Sequence, residues 1–324
     1  MNRLRFPATV TALIAVAVAG CGVGEGEAEE GSASLRVTRD HGSELMLEAT
    51  TTDPSESETV ARFLDREAEI ETSYGGNFVD SIDGVAGGVE GGRSLDWYFY
   101  VNGIWSPVGA AEARVRPGDR IWWDYRDWTS AYRVPAVVGS YPEPFRSGFD
   151  GERWPTEIVC LPSGESTGAC DGTEAALRGA GVEPEVLEDL EASDPDESLR
   201  VLVGTWDEIR ADATAAMMEK GPGASGVYGR PVPCGDSSYA LEPFDAEGDP
   251  AGGSDDAAWI ATLQRDEERP TWVVAAGSEG RLPDAAAMLD EGALRDRYAV
   301  ASFDGGSPLG LPVAARAGEG VHCR

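Results

Sequence analysis

Two hydrophobic rhythms divide the chain. Up to about residue 133, short runs alternate apolar and polar positions; beyond about residue 156, compact apolar runs trade places with helical spacing. Residues 34–38 and 45–51 alternate as strands. Residues 59–70 set Val60, Phe63, Leu64 and Ala68 near helical spacing, with Pro54 as a turn and Ser57 as a cap. Residues 78–84 form a strand fragment inside a glycine-rich stretch. Residues 97–101 are continuously apolar and aromatic, as in a strand buried on both faces. Asn102-Gly103 is a hairpin turn, because both residues tolerate positive φ, and residues 104–108 return from it. Arg116-Pro-Gly-Asp119 is a second turn. The strand at 120–125 then puts Ile121, Trp123 and Tyr125 on one face and Trp122 and Asp124 on the other. Two strands, a helix and further strands predict a β-grasp-like domain over residues 34–133, in which a sheet wraps one helix.

Residues 134–155 carry Pro135, Pro142, Pro144, Pro155 and three glycines and read as a linker. Residues 156–324 predict an α+β sandwich domain. Its strands fall at 157–161, 199–203, 227–230, 239–244, 272–276 and 298–303, and its helices at 172–179, 206–220 and 282–291. Residues 245–256 are an acidic, glycine-rich loop. Val201-Leu-Val-Gly, Arg210 and Ala215-Ala-Met-Met-Glu219 align without a gap to Trp272-Val-Val-Ala, Arg281 and Ala286-Ala-Met-Leu-Asp290. That self-similarity predicts an internal duplication of a strand–helix unit. The fold class is therefore α+β, in two domains.

Charge narrows the function. The chain has 26 Lys and Arg against 58 Asp and Glu, a net charge of −32. Such a field repels phosphate backbones, so a nucleic-acid partner is excluded. Residues 1–20 read as a signal peptide: Arg3 and Arg5 precede an apolar run too short to span a bilayer. The run ends Val18-Ala19-Gly20-Cys21, which resembles a bacterial lipobox. The resemblance implies a diacylglycerol on Cys21, and residues 21–33, rich in Gly and Glu, read as a flexible tether. The chain is thus expected at the extracytoplasmic face of the cell membrane, held by its lipid. Four further cysteines remain: Cys160, Cys170, Cys234 and Cys323. In an exported chain they point to disulfides. Three pairings are open. Cys160–Cys170 with Cys234–Cys323 is favoured, since the first pair closes a short loop between a strand and a helix start. No Cys-x-x-Cys occurs and His41 and His322 are the only histidines, so no metal site is expected.

The strand pair, the helix, Ser-Ile-Asp-Gly, Trp-Tyr-Phe-Tyr-Val-Asn-Gly, Gly-Ala-Ala and Arg-Pro-Gly-Asp-Arg-Ile-Trp-Trp together resemble a transcobalamin C-terminal-like domain of the DUF4430 type. Bacteria carry this domain in exported and lipid-anchored proteins. In cobalamin carriers it is similar to a β-grasp lid closing on one face of the corrin, against a helical barrel. This chain has no counterpart of that barrel. The resemblance implies capture of a cobalamin-like or other small ligand, with a membrane transporter as partner.

The residues set their own expectation. Five of the nine tryptophans lie between residues 96 and 128. Most large rings in a small sheet domain fill its core. Trp122 and Trp123 are adjacent in a strand, however, so one must point away from that core. Whichever does so, joined by Trp105 and Trp128, forms the candidate ligand platform, open to a flat ligand or a partner domain. Catalytic signatures are missing from the sequence. There is no Gly-x-Ser-x-Gly elbow, and the glycine-rich stretch 221–226 lacks a phosphate-loop lysine. No aspartate run matches an EF-hand. The expected function is a binding protein without cofactor or enzymatic activity. The alternative is an envelope interaction or structural protein with no small ligand. Metabolic labelling with a radioactive fatty acid should mark the wild-type chain and leave the Cys21→Ser variant unmarked; equal labelling of both would remove the anchor.

Overall fold

The computed structural model describes residues 28–235, 238–266, 268–315 and 320–323. The expected signal peptide, Cys21 and most of the expected tether lie outside the described residues. A mixed α+β architecture results, built on two principal sheets.

The first sheet opens with a hairpin, β1 (Ser32–Arg39) and β2 (Glu44–Thr52). Helix α1 (Val60–Glu67) starts at Thr59, whose side chain accepts from the Arg62 N–H. It buries Val60, Ala61, Phe63 and Leu64. Strands β3 (Ile70–Ser73), β4 (Phe78–Ile82) and β5 (Val85–Ala86) form a small separate sheet. Strands β6 (Gly88–Glu90), β7 (Arg93–Val101), β8 (Ile104–Trp105) and β9 (Arg120–Asp127) complete the first, in the order β2-β1-β9-β7-β6, with β8 pairing the end of β7. Only β1–β9 is parallel. The two turns read from sequence are joined to one another. Asn102 and Gly103 both have positive φ, and the Asn102 side chain donates to Asp119 Oδ1 at 2.8 Å and accepts from the Arg120 N–H. Asp119 in turn accepts from the Arg116 N–H at 2.8 Å. One side chain thus locks both hairpin ends at the same corner. On β9, Ile121, Trp123 and Tyr125 join Phe63, Leu64 and Phe99 in the core beneath α1.

The second sheet contains β10 (Thr156–Cys160), β11 (Glu185–Leu187), β12 (Leu199–Thr205), β15 (Ala257–Leu263), β16 (Thr271–Ala276), β17 (Ala299–Phe303) and β18 (Leu309–Leu311). Strands β13 (Gly229–Pro233) and β14 (Tyr239–Pro243) pair as a separate ribbon. The order β11-β10-β12-β16-β15-β17-β18 is parallel through β16 and antiparallel thereafter. Helices α2 (Pro162–Ser166) and α3 (Ala169–Gly179) follow β10, α4 (Trp206–Ile209) follows β12, and α5 (Pro222–Ser225) precedes the ribbon. Helices α6 (Leu282–Ala287) and α7 (Glu291–Leu294) connect β16 to β17. Val201, Val203, Trp272 and Val274 pack with Leu177, Leu282 and Ala285 on one face of the sheet. Leu202, Val273, Ala275 and Trp259 belong to the other face, which carries Trp206 and the first sheet's Trp122. Disulfides join Cys160 to Cys170 and Cys234 to Cys323.

Two expectations are corrected, and the connecting segment proves closely packed. The single helix over 206–220 is broken into α4 and a 3-10 turn at Ala215–Lys220. Asp212 is the cause. Its Oδ1 accepts from the N–H groups of Thr214 and Ala215, and its Oδ2 holds the buried Arg200 at 2.8 Å. The acidic loop is followed by a strand absent from the sequence reading, β15, buried along its whole length. Residues 134–155 connect the sheets, but largely as packed chain: Val134, Ala136, Val137, Val138, Tyr141 and Phe145 are buried. Val137 donates to Gly103 O at 2.8 Å and Val138 to Tyr298 O at 3.2 Å, so this strap is bonded to both sheets. The aligned strands of the sequence repeat are direct neighbours, with Val201 opposite Trp272, while their following segments pack on opposite faces.

Close approach of the sheets depends on glycine. A Cβ on Gly139 would lie 2.7 Å from the Trp122 ring and 2.8 Å from Arg297 N. Gly139→Ala should therefore cost about 1–3 kcal/mol, the usual range for overpacking. Urea unfolding followed by tryptophan emission measures it; a loss below 0.5 kcal/mol would mean that the interface gives way freely.

Candidate functional site

Trp122 and Trp123 do point to opposite faces, and neither is accessible. Trp123, 2% exposed, stacks on Phe99 at 4.8 Å in the core under α1. Trp122, 3% exposed, meets the second sheet. Tyr298 stands edge-on to it at 5.4 Å and Tyr100 lies at 5.8 Å. The second face of β9 is thus a covered surface rather than an open platform, because the chain supplies its own second sheet as the occupant.

Beside Trp122 lies a buried polar node. Asp124 Oδ1 accepts from Thr38 Oγ1 at 2.6 Å and from the Gly42 N–H at 3.0 Å, and its Oδ2 accepts from Tyr298 OH at 2.9 Å. Thr38 Oγ1 accepts the Trp122 indole N–H at 2.8 Å. His41, on the β1–β2 turn, contacts Tyr228 OH through Nε2 at 3.2 Å and lies edge-on to Tyr228 and Tyr298. Arg36 adds a two-pronged ion pair across the sheets to Asp296, at 2.7 and 2.5 Å. A groove beside Trp122, lined by Arg36, Arg120 and Asp296, measures about 170 Å³. That is below the ~300–1,000 Å³ typical of small-molecule pockets.

Trp105 and Trp128 are placed differently. Both are half-buried at the rim of this interface, and Tyr132 brings them together. Its ring lies 6.4 Å from Trp105 and 5.6 Å from Trp128, edge-on to each, and is 61% exposed. Tyr98 extends the group, 6.1 Å from Trp105. The corner has a rigid base. Arg126, fully buried, lays its guanidinium over Tyr98 at 4.0 Å and donates to the carbonyls of Ala131 and Tyr132 at 2.8 and 3.1 Å. Trp105 is fixed by its N–H to Pro135 O, and Trp128 by its N–H to Ser94 O, both at 2.9 Å. Sequence reasoning named the two tryptophans but missed Tyr98, Tyr132 and Arg126. Tyr98 was legible as the outward neighbour of Trp97 on β7; Tyr132 lies in irregular chain, where no period applies. Among the described residues, no group of three or more His, Cys, Asp or Glu is arranged to hold a metal, and no helix is long and apolar enough to cross a membrane.

Residues 57–127 match a family described as a domain of unknown function, DUF4430. The match covers less than a quarter of the chain. It spans α1, the small sheet and β6 to β9, including three of the four candidate tryptophans. No curated protein matches. Among solved structures, one from Ruminococcus gnavus, described as a candidate metal-binding protein, is 14% identical over 30% of this chain and 98% of its own, with a TM-score of 0.24. At that score the likeness carries neither fold nor ligand across.

The node titrates in two opposed senses. Burial raises the Asp124 carboxyl from 3.8 to about 6, despite its three donors and the nearby Arg126. Burial, aided by the Arg126 charge, lowers His41 from 6.5 to about 3. Stability from Asp124 is full below about pH 4 and is lost as pH rises through about 6. Stability from His41 is present above about pH 6.5 and is lost as pH falls toward 3. Asp124→Asn removes only the first contribution. Its destabilisation should be larger at pH 4 than at pH 7 by roughly 2–3 kcal/mol, at ~1.4 kcal/mol for each unit of pKa. Urea unfolding at the two pH values checks this; an equal cost at both would show that Asp124 keeps an ordinary acidity.

Proposed function

We propose that the protein is a lipid-anchored, extracytoplasmic binding protein without a catalytic centre. It captures a planar or ring-shaped small molecule, cobalamin-like in kind, on the corner of Trp105, Tyr132 and Trp128. The observation that carries this reading is Tyr132, 61% exposed between two half-buried tryptophans on an arginine-braced base. Aromatic contacts contribute about 0.5–1.5 kcal/mol each beyond area burial, so a flat ligand stacked on one of these rings would gain further from meeting a neighbouring ring edge-on. The location rests on the leader and Cys21, and two disulfides suit an oxidising compartment. A transporter in the same membrane would be the natural recipient. The first domain reads as a β-grasp-like unit, since one helix packs against a sheet whose β1 and β9 are parallel. The in-register pairing of the repeated strands supports a duplication of the strands, while the segments that follow them pack on opposite faces of the sheet.

A second reading is an interaction protein that displays the same corner to an envelope polymer or protein. The tethered, rigid body favours it, because display needs no enclosed pocket. Hydroxocobalamin titrated into the form beginning at Gly22 should quench tryptophan emission with saturation at micromolar ligand. Trp105→Ala and Trp128→Ala should each weaken binding about tenfold, equivalent to ~1.4 kcal/mol. No quenching, together with retention of envelope material that both alanine variants lose, would favour display instead.

A further inference from the structure

A recess of about 300 Å³ lies where the strap crosses the first sheet, and none of its described lining residues belongs to the aromatic corner. Its size is at the lower end of the ~300–1,000 Å³ of small-molecule sites. Sheet register builds the floor. Thr50 on β2 stands opposite Ser34 on β1, and Ser34 stands opposite Arg120 on β9. Ser32, two positions before Ser34, shares that face. The strap supplies Glu143, Arg146 and Ser147 as the facing wall.

Much of the lining is held in place by the fold. The Arg120 guanidinium donates to Tyr141 O at 2.8 Å and to Glu291 Oε1 at 2.9 Å. Glu143 accepts from the Ser147 N–H at 2.7 Å and from Ser147 Oγ at 3.2 Å. Asp119 is fixed by the Asn102 side chain and the Arg116 N–H. A glycine lets the walls approach. Gly118 has a φ of 92°, its N–H donates to Ser32 O at 2.8 Å, and a Cβ there would fall 2.5 Å from Ser147 Oγ. Polar groups fixed in this way lower the ordering cost of binding.

The lining carries both signs of charge. A cation would meet Arg120 and Arg146, and an anion would meet Asp119 and Glu143. Hydroxyls fill the space between them, on Ser32, Ser34, Thr50 and Ser147. A serine or threonine hydroxyl donates one hydrogen bond and accepts others, and a guanidinium only donates. A ligand hydroxyl also does both, so an uncharged molecule bearing several hydroxyls can pair with the floor and with arginine at once. Such a molecule meets no like charge in the recess.

We propose that this recess binds a neutral sugar unit, its hydroxyls meeting Ser32, Ser34 and Thr50 and the guanidinium of Arg146. The site is independent of the aromatic corner and does not rest on the reading given for it. The full chain in nanodiscs, which avoid sugar-headed detergents, should be mixed with the methyl glycosides of glucose, galactose and mannose. Ligand-observed NMR follows binding, with empty nanodiscs as blank. At least one glycoside should bind at millimolar concentration. Its 2-amino and 6-carboxylate relatives should bind at least tenfold more weakly. So should 2-methoxytetrahydropyran, which keeps the ring without the hydroxyls, and glycine, a zwitterion. Arg146→Met and Thr50→Val should each weaken the glycoside severalfold, and Ser32→Trp should abolish its binding by filling the recess. All three positions are exposed, so these variants test the site in folded protein. Trp105→Ala should leave the glycoside unaffected. No glycoside binding, or tighter binding of a charged relative or of glycine, would overturn the proposal. So would glycoside binding that survives Ser32→Trp or is lost with Trp105→Ala.

Discussion

A carboxylate buried between two sheets must receive donors from both of them, and Asp124 does. Thr38 and Gly42 reach it from the β1–β2 hairpin, Tyr298 from the second sheet. Parting the sheets would strip one donor from a buried charge and expose the apolar flanks of Trp122 and Tyr100 together. Leaving a buried polar group without its hydrogen-bond partner commonly costs about 1–3 kcal/mol, and more for a charged one, which indicates the scale of such a loss. The node therefore couples hydrogen bonding to hydrophobic burial: neither is satisfied unless the other is. Gly42 serves the same end from the backbone. Its φ is 81°, and a Cβ there would fall 1.9 Å from the Asp296 carbonyl oxygen, next to the carboxylate that holds Arg36.

This docking divides the tryptophans by role. The two adjacent ones are spent on the two cores, one on either side of β9. The aromatic chemistry that remains accessible is pushed outward, to rings whose backbone is held by Arg126 and the strap. A fully buried arginine stacked on Tyr98 and bonded to two carbonyls is a stiff mount, so the rim inherits its order from the interface beneath it. The candidate ligand surface is a by-product of how the two sheets meet.

Much of the first sheet was legible. The turns at Asn102-Gly103 and Pro117-Gly118 are chemical signals tied to positive φ, and the alternation from Ile121 to Tyr125 assigns faces correctly. What covers Trp122 was not legible, because a tryptophan against a neighbouring sheet and one facing a ligand have the same place in a period of two. Pro and Gly between residues 134 and 155 mark irregular chain, and no periodicity there signals that Val137, Tyr141 and Phe145 are buried. β15 escaped notice because three of its seven residues are alanine, a weak strand former, and because it follows an acidic loop. The break at Asp212 depends on Arg200, twelve positions earlier and on another element, so no local window contains its cause.

The strap has one more consequence. Chains with two sheets and a solvated connection can exchange halves, each molecule lending one sheet to its neighbour. Here the connection donates to Gly103 on one side and to Tyr298 on the other, with Tyr141 and Phe145 buried against the second sheet's core. Exchange would require extracting those rings as well as parting the sheets. The connecting segment thus acts as a guard against entanglement wherever copies of this chain meet at high local concentration.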